Sequence, residues 1–245
     1  MNKVCPEVKA GKYQCTPGFP FVGFEIWGDV TPFVLQDNTQ FRPGPPYAIT
    51  DAKFKKDLDE VKSLGGDGKT TPSARTDDQT EVALFWLESS PLKWSRIART
   101  VATNKGLNTW ESARLLALLN MTLADGYVAM VASKNHYNFW RPVTAIRNAD
   151  IDGNPATDLD SSWQPIAATP MHPEYPCAHC ILSGSVAGVV KAVFGTEEIP
   201  EIATTSPTAP GVTHRWTNMT AYTDEVANAR IWSPVMRSSS LATPS

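Results

Sequence analysis

The 245-residue chain has little excess of charge of either sign: 22 lysines and arginines stand against 25 acidic residues, for a formal net charge of −3. That leaves no basic surface with which to hold nucleic acid or an acidic membrane, so neither is expected as a partner. Charged residues make up only 19% and hydrophobic residues 42%, which excludes a disordered chain and leaves a globular one. Long hydrophobic runs are also missing. The most apolar region, residues 113–133, carries Arg114, Asn120 and Asp125, and reads as a buried helix rather than a membrane span. The N-terminal MNKVCPEVKAGKYQC has no apolar stretch of the kind a secretion signal needs. Cysteine is scarce, at positions 5, 15, 177 and 180. Four cysteines allow three pairings and the sequence does not choose among them, so the cellular compartment stays open. No internal repeat and no sustained alternation of apolar and polar residues is present. The class read from the sequence is therefore all-α, a helical bundle with long proline-rich loops.

Residues 1–50 are rich in proline, glycine and aromatics, as in TPGFPFVGFEIWGDVTPFVL, and predict an irregular wrapping segment. A helical segment over 51–233 follows. Phe54, Leu58, Val61 and Leu64 share one helical face that ends at Gly65-Gly66. EVALFWLES before Pro91 is a second helix, and Trp94, Ile97 and Val101 mark a third over about 92–104. Asn108 and Glu111 have capping-box spacing and open a long helix to about 133 at the centre of the bundle. Residues 149–175 and 196–214 read as loops. In the helix over 180–195, Gly184, Ala187 and Gly188 invite close approach of another helix, and 221–232 is the last helix. Residues 234–245 have the composition of a tail.

The densest chemistry lies in HPEYPCAHC, residues 172–180. Cys177-x-x-Cys180 with His172 and His179 has the look of a zinc or redox motif. No second CxxC and no βαβ pattern accompany it, and a helix-packing role is preferred for Cys180. His172 reads as a loop residue. A helix beginning near Pro176 would aim its N–H groups and positive dipole end at an anion, with His179 in its first turn as an acid–base group. Lys134 and Arg141 upstream and Arg230 downstream supply the cations such a site needs, because guanidinium forks grip tetrahedral oxyanions in bidentate fashion. Asp125, inside the apolar helix, needs a partner, either one of these cations or a helix cap.

The spacing adds to this. Lys134-x6-Arg141-Pro142, then Pro176-x-x-His179, then Ala229-Arg230 resembles the K-x6-RP, PSGH, SR-x5-H-x3-D signature of the type 2 phosphatidic acid phosphatase and vanadium-dependent haloperoxidase superfamily. WGDVTPFVL, FRPGPPYAIT and KNHYNFWRPVTAIR resemble its haloperoxidase branch, and the likeness runs from about 11 to 233. The resemblance implies the family's helical fold and vanadate as cofactor. It implies small-molecule substrates: peroxide and halide or, in the phosphatase members, a phosphoester. It implies His179 as the catalytic acid–base, with Lys134, Arg141, Cys177, Ala178 and Arg230 around the oxyanion.

Two departures stand out. Cys177 replaces the family's serine, and its thiol is a weak donor that, as a thiolate, would repel the anion. The histidine that attacks phosphorus or ligates vanadium should stand at 236, where this chain has Met236, and the aspartate behind it at Ser240. A thioether is a poor ligand for an oxidised oxo-metal, and none of His136, His172 and His214 has the spacing to replace it. The expectation is a haloperoxidase-type chain whose ending was altered after Ser233, by a shifted frame or splice, with impaired activity and no metal ligand. The alternatives are an acid phosphatase of the same superfamily and a catalytically silent oxyanion-binding or structural relative.

Overall fold

In the computed structural model, which describes residues 3–88 and 91–241, α1 (Ala52–Leu64) starts where the Asp51 carboxylate accepts from Lys53 N. α2 (Asp77–Phe85) begins earlier than the sequence suggests, because Thr76 and Gln79 form a capping box. α3 (Leu92–Asn104) and α4 (Thr109–Tyr137) follow, the latter opened by the Asn108–Glu111 capping box and closed by Asn138 in the left-handed region. After α5 (Pro142–Arg147) and a long loop come α6 (Ala178–Phe194) and α7 (Met219–Trp232). Two short strands, β1 (Lys3–Val4) and β2 (Phe21–Val22), pair near the N-terminus.

The main core lies between α2, α3, α4, α6 and α7, with Trp86, Trp94, Leu119, Val186, Tyr222 and Val226 fully buried. α4 is long and apolar enough to cross a membrane by length and composition, yet Leu115, Leu119, Leu123 and Val128 are committed to this core and α3 and α6 pack on it. Its opposite face is less covered than a central helix would be: Trp110 is 87% exposed. A second cluster gathers Phe54, Phe139, Trp140, Ile146, Trp163 and Tyr175 between α1, α5 and the loop before α6.

Residues 196–214 depart from the sequence reading. Instead of a loop, β3 (Glu198–Ser206) and β4 (Ala209–Asn218) form an antiparallel hairpin. Pro200, Pro210, Gly211 and two register shifts break the period-two pattern, which is why the strands were not legible. The hairpin is docked by Arg96, which donates to Thr204 Oγ1 and Thr205 O at 2.9 Å each. The fold is otherwise helical.

Gly184 and Gly188 do not receive a neighbouring helix; nothing lies within 4 Å of a Cβ added at either. Their side of α6 opens onto a cavity of about 530 Å³. α4 meets α6 instead through Gly126, where an added Cβ would lie 3.3 Å from Ser185 Oγ. The N-terminal segment lies over α4, tied by a Cys5–Cys15 disulfide and by three N–H groups: Phe33, Val34 and Leu35 donate to the Asp125 carboxylate at 2.6, 2.8 and 3.0 Å. Asp125 thus pairs with neither a site cation nor a helix cap.

Candidate functional site

Three helix ends converge on one place. Lys134 lies in the last turn of α4, Arg141 is the N-cap of α5, and Arg230 lies in the last turn of α7. α6 points its N-terminus at them, with His179 in its first turn. Lys134, Arg141, Ala178, His179 and Arg230 all line a cavity of about 740 Å³, together with His172 and Met236. Its remaining walls are mostly apolar, including Trp27, Leu123, Tyr127 and Met130. The first N–H groups of α6 have no partner within the helix, and Ala178 lies at this end.

The cations are buried and held by the chain. Lys134 Nζ donates to Pro173 O at 2.9 Å and to Glu174 O at 2.5 Å. Arg230 Nη1 donates to Trp86 O at 2.9 Å. Each nitrogen of Arg141 has a partner: Nε donates to His172 O at 2.7 Å, Nη2 lies 3.0 Å from His172 Nδ1, and Nη1 donates to Val235 O at 2.6 Å and to Met236 Sδ at 3.5 Å.

Burial dominates the electrostatics. It pushes Lys134 well below the usual lysine range, helped by the Arg141 and Arg230 charges and opposed by Glu174. Arg141 falls to about 10 and Arg230 to about 9, both chiefly by burial. His179 is driven well below the usual histidine range by burial and then by Arg230 and Lys93. His172 is driven the same way by burial, Arg141 and Lys134. Both imidazoles are therefore neutral near pH 7. Glu174, whose charge acts on Lys134 and Arg141, is itself engaged elsewhere. It pairs with Arg237 Nε at 2.9 Å and accepts from Ser240 Oγ at 2.8 Å.

Cys177 departs from its expected place. Its sulfur is bonded to Cys180, so it has no S–H to donate and forms no thiolate. It packs with Cys180, Val235 and Met236 rather than lining the cavity. Position 236 does face the site, as the spacing requires, but presents a thioether.

Sequence reasoning missed several participants. His172, read as a loop residue, stands against Arg141; its nearness to the α6 cap was the available signal. Lys93 is a further buried cation, lying 5.0 Å and 4.5 Å from the ring centroids of Trp86 and Trp94 and donating to Glu88 O, which also lies 3.4 Å from His179 Nε2. Residues 234–241, which carry no periodicity, are built into the site. Arg237 sits over the Phe54 and Phe139 rings, Ser240 O accepts from Cys177 N, and Gly65 is where Pro234 packs so tightly that an added Cβ would lie 2.3 Å from it.

A sequence model of the VCPO second helical-bundle domain matches residues 114–240, over half the chain, and includes Lys134, Arg141 and Arg230. The chain belongs to this family. It therefore falls in the vanadium haloperoxidase branch. The vanadium chloroperoxidase of Curvularia inaequalis is 23% identical over 210 residues, covering 73% of this chain and 34% of that protein. A bacterial vanadium-dependent iodoperoxidase structure superposes with a TM-score of 0.79 at 25% identity, over 97% of this chain and 58% of the other. An apo bacterial vanadium-dependent chloroperoxidase superposes at 0.67 and 18% identity, over 98% and 58%, a likeness of fold. The chain thus spans about a third of the curated relative and somewhat over half of these solved structures.

For a VCPO-type domain, the donor set suits the anionic part of a vanadate. Lys134, Arg230 and the α6 N-terminus offer positive charge, and Glu174, whose charge acts on Lys134, is paired with Arg237. The residues do not suit a direct bond to the metal from position 236, where Met236 would offer only sulfur. Among the described residues, no group of three or more His, Cys, Asp and Glu side chains gathers as a metal site.

Proposed function

We propose that this chain binds a tetrahedral oxyanion, vanadate or phosphate, in the cavity between α4, α6 and α7, and that with vanadate it is a weakened haloperoxidase. The observation that supports this most is the convergence of Lys134, Arg141 and Arg230 with His179 on one cavity at the α6 N-terminus. Bound vanadate would supply the activation of peroxide toward halide. The chain's own part is charge and protons. Lys134 and Arg230 neutralise the oxygens in a buried place where each charge acts strongly. The neutral His179 accepts a proton from a bound peroxide or oxyanion. Arg141 joins them to the extent that Val235 O and Met236 Sδ give up its Nη1.

Hydrolysis of a phosphoester is less well supported, since the thioether at 236 does not attack phosphorus. The test is bromide oxidation by the chain and by Met236→His, both with saturating vanadate. An increase of about a hundredfold or more in kcat is expected for the variant, the scale of one lost transition-state contact. Equal and robust turnover by both chains would overturn the claim that Met236 impairs the site.

A further inference from the structure

Met236 is one of the cavity's thioethers, and it differs from Met130 and Met171, which also line the cavity, in lying against a cation: its Sδ accepts from Arg141 Nη1 at 3.5 Å. Both nearby cysteines are joined as Cys177–Cys180, and the described residues include no free cysteine. We propose that Met236 is a modification site, taking one oxygen from a hydroperoxide in the cationic cavity in preference to equally buried methionines elsewhere in the chain. The inference rests on the reading above in so far as peroxide enters this cavity.

The step balances. A sulfur lone pair attacks one peroxide oxygen, the O–O bond breaks, and its electron pair leaves with the second oxygen as hydroxide. The proton on the transferred oxygen passes to that hydroxide. The products are methionine sulfoxide and water; sulfur is oxidised by two electrons and the peroxide is reduced. Negative charge builds on the departing oxygen, and the Arg141 guanidinium beside Met236, with Lys134 and Arg230 on the same cavity, offsets it. The sulfoxide oxygen is then a better acceptor for Arg141 Nη1 than the thioether was. The modification therefore replaces a weak contact with a strong one at the residue that stands where the family places a histidine.

The experiment exposes the intact chain to dilute hydrogen peroxide and follows each methionine by peptide mass mapping. Met219 is the internal reference: at 1% exposure it is buried like Met236, at 3%, but lines the other cavity. Met236 is expected to convert about tenfold faster than Met219, the effect of one charge-assisted hydrogen bond in the transition state. Saturating inorganic phosphate is expected to slow Met236 and leave Met219 unchanged. Equal rates for the two residues would overturn the proposal. So would a Met236 rate indifferent to phosphate when calorimetry shows that phosphate binds. If calorimetry shows no phosphate binding, the oxyanion reading fails, while the ratio of the two rates still decides the proposal.

Discussion

His172 and His179 are held neutral by burial beside Arg141, Lys134, Arg230 and Lys93, and this has a consequence for stability. Their folded pKa values lie well below the ordinary 6.5, so below that pH the unfolded chain binds more protons than the folded one. Stability then rises with pH through that window: the contribution is present in full above 6.5 and is lost as pH falls toward the folded values. His214 works in the opposite sense. Its bonds to Glu225 and Glu81 overcome burial and raise its pKa, so its contribution is lost as pH rises past the folded value. Because these effects oppose, the informative quantity is a difference between chains. Urea titrations of the parent and His172→Phe should show the parent losing more stability between about pH 7 and about pH 5. Identical acid-side slopes would show that His172 is not buried among the cations.

At the scale of elements, the helices whose caps are written locally were legible. Asn108 and Glu111 announce α4, Gly65 ends α1, and the apolar stripe of α3 coincides with its buried residues Trp94, Ile97 and Val101. What was not legible depends on partners distant in sequence. The β3–β4 hairpin hides its alternation behind prolines and register shifts, and is fixed by Arg96 from α3. Residues 234–241 look like a tail because their anchors, Glu174, Asp57 and Glu60, come from other elements. The Lys134, Arg141 and Arg230 spacing was readable; the contacts of Arg141 with Val235 and His172 were not. Asp125 belongs at this scale too, because one α4 side chain holds three consecutive N–H groups of the N-terminal wrap. Asp125→Ala leaves those donors without their acceptor and should cost about 3 kcal/mol. Thermal unfolding and limited proteolysis check it. A change below about 0.5 kcal/mol, within the range of an ordinary surface substitution, would mean that the wrap is held by other contacts.

For the whole molecule, the bundle is arranged so that three helix ends carrying cations meet the N-terminus of a fourth helix, with the cost of burying those charges borne by the rest of the fold. Lys134 and Arg230 line the same cavity, and Glu174, whose charge partly offsets the burial of Lys134, is paired with Arg237. On the function proposed above, a bound anion would favour the protonated forms of Lys134 and His179. Calorimetric titration of inorganic phosphate into the intact chain tests this most directly. One site per chain is expected, with proton uptake that makes the heat depend on the buffer. Affinity should fall about tenfold to a hundredfold in Lys134→Met, the loss of one charged contact. No saturable phosphate binding, or the same affinity in Lys134→Met, would contradict an oxyanion site between α4, α6 and α7.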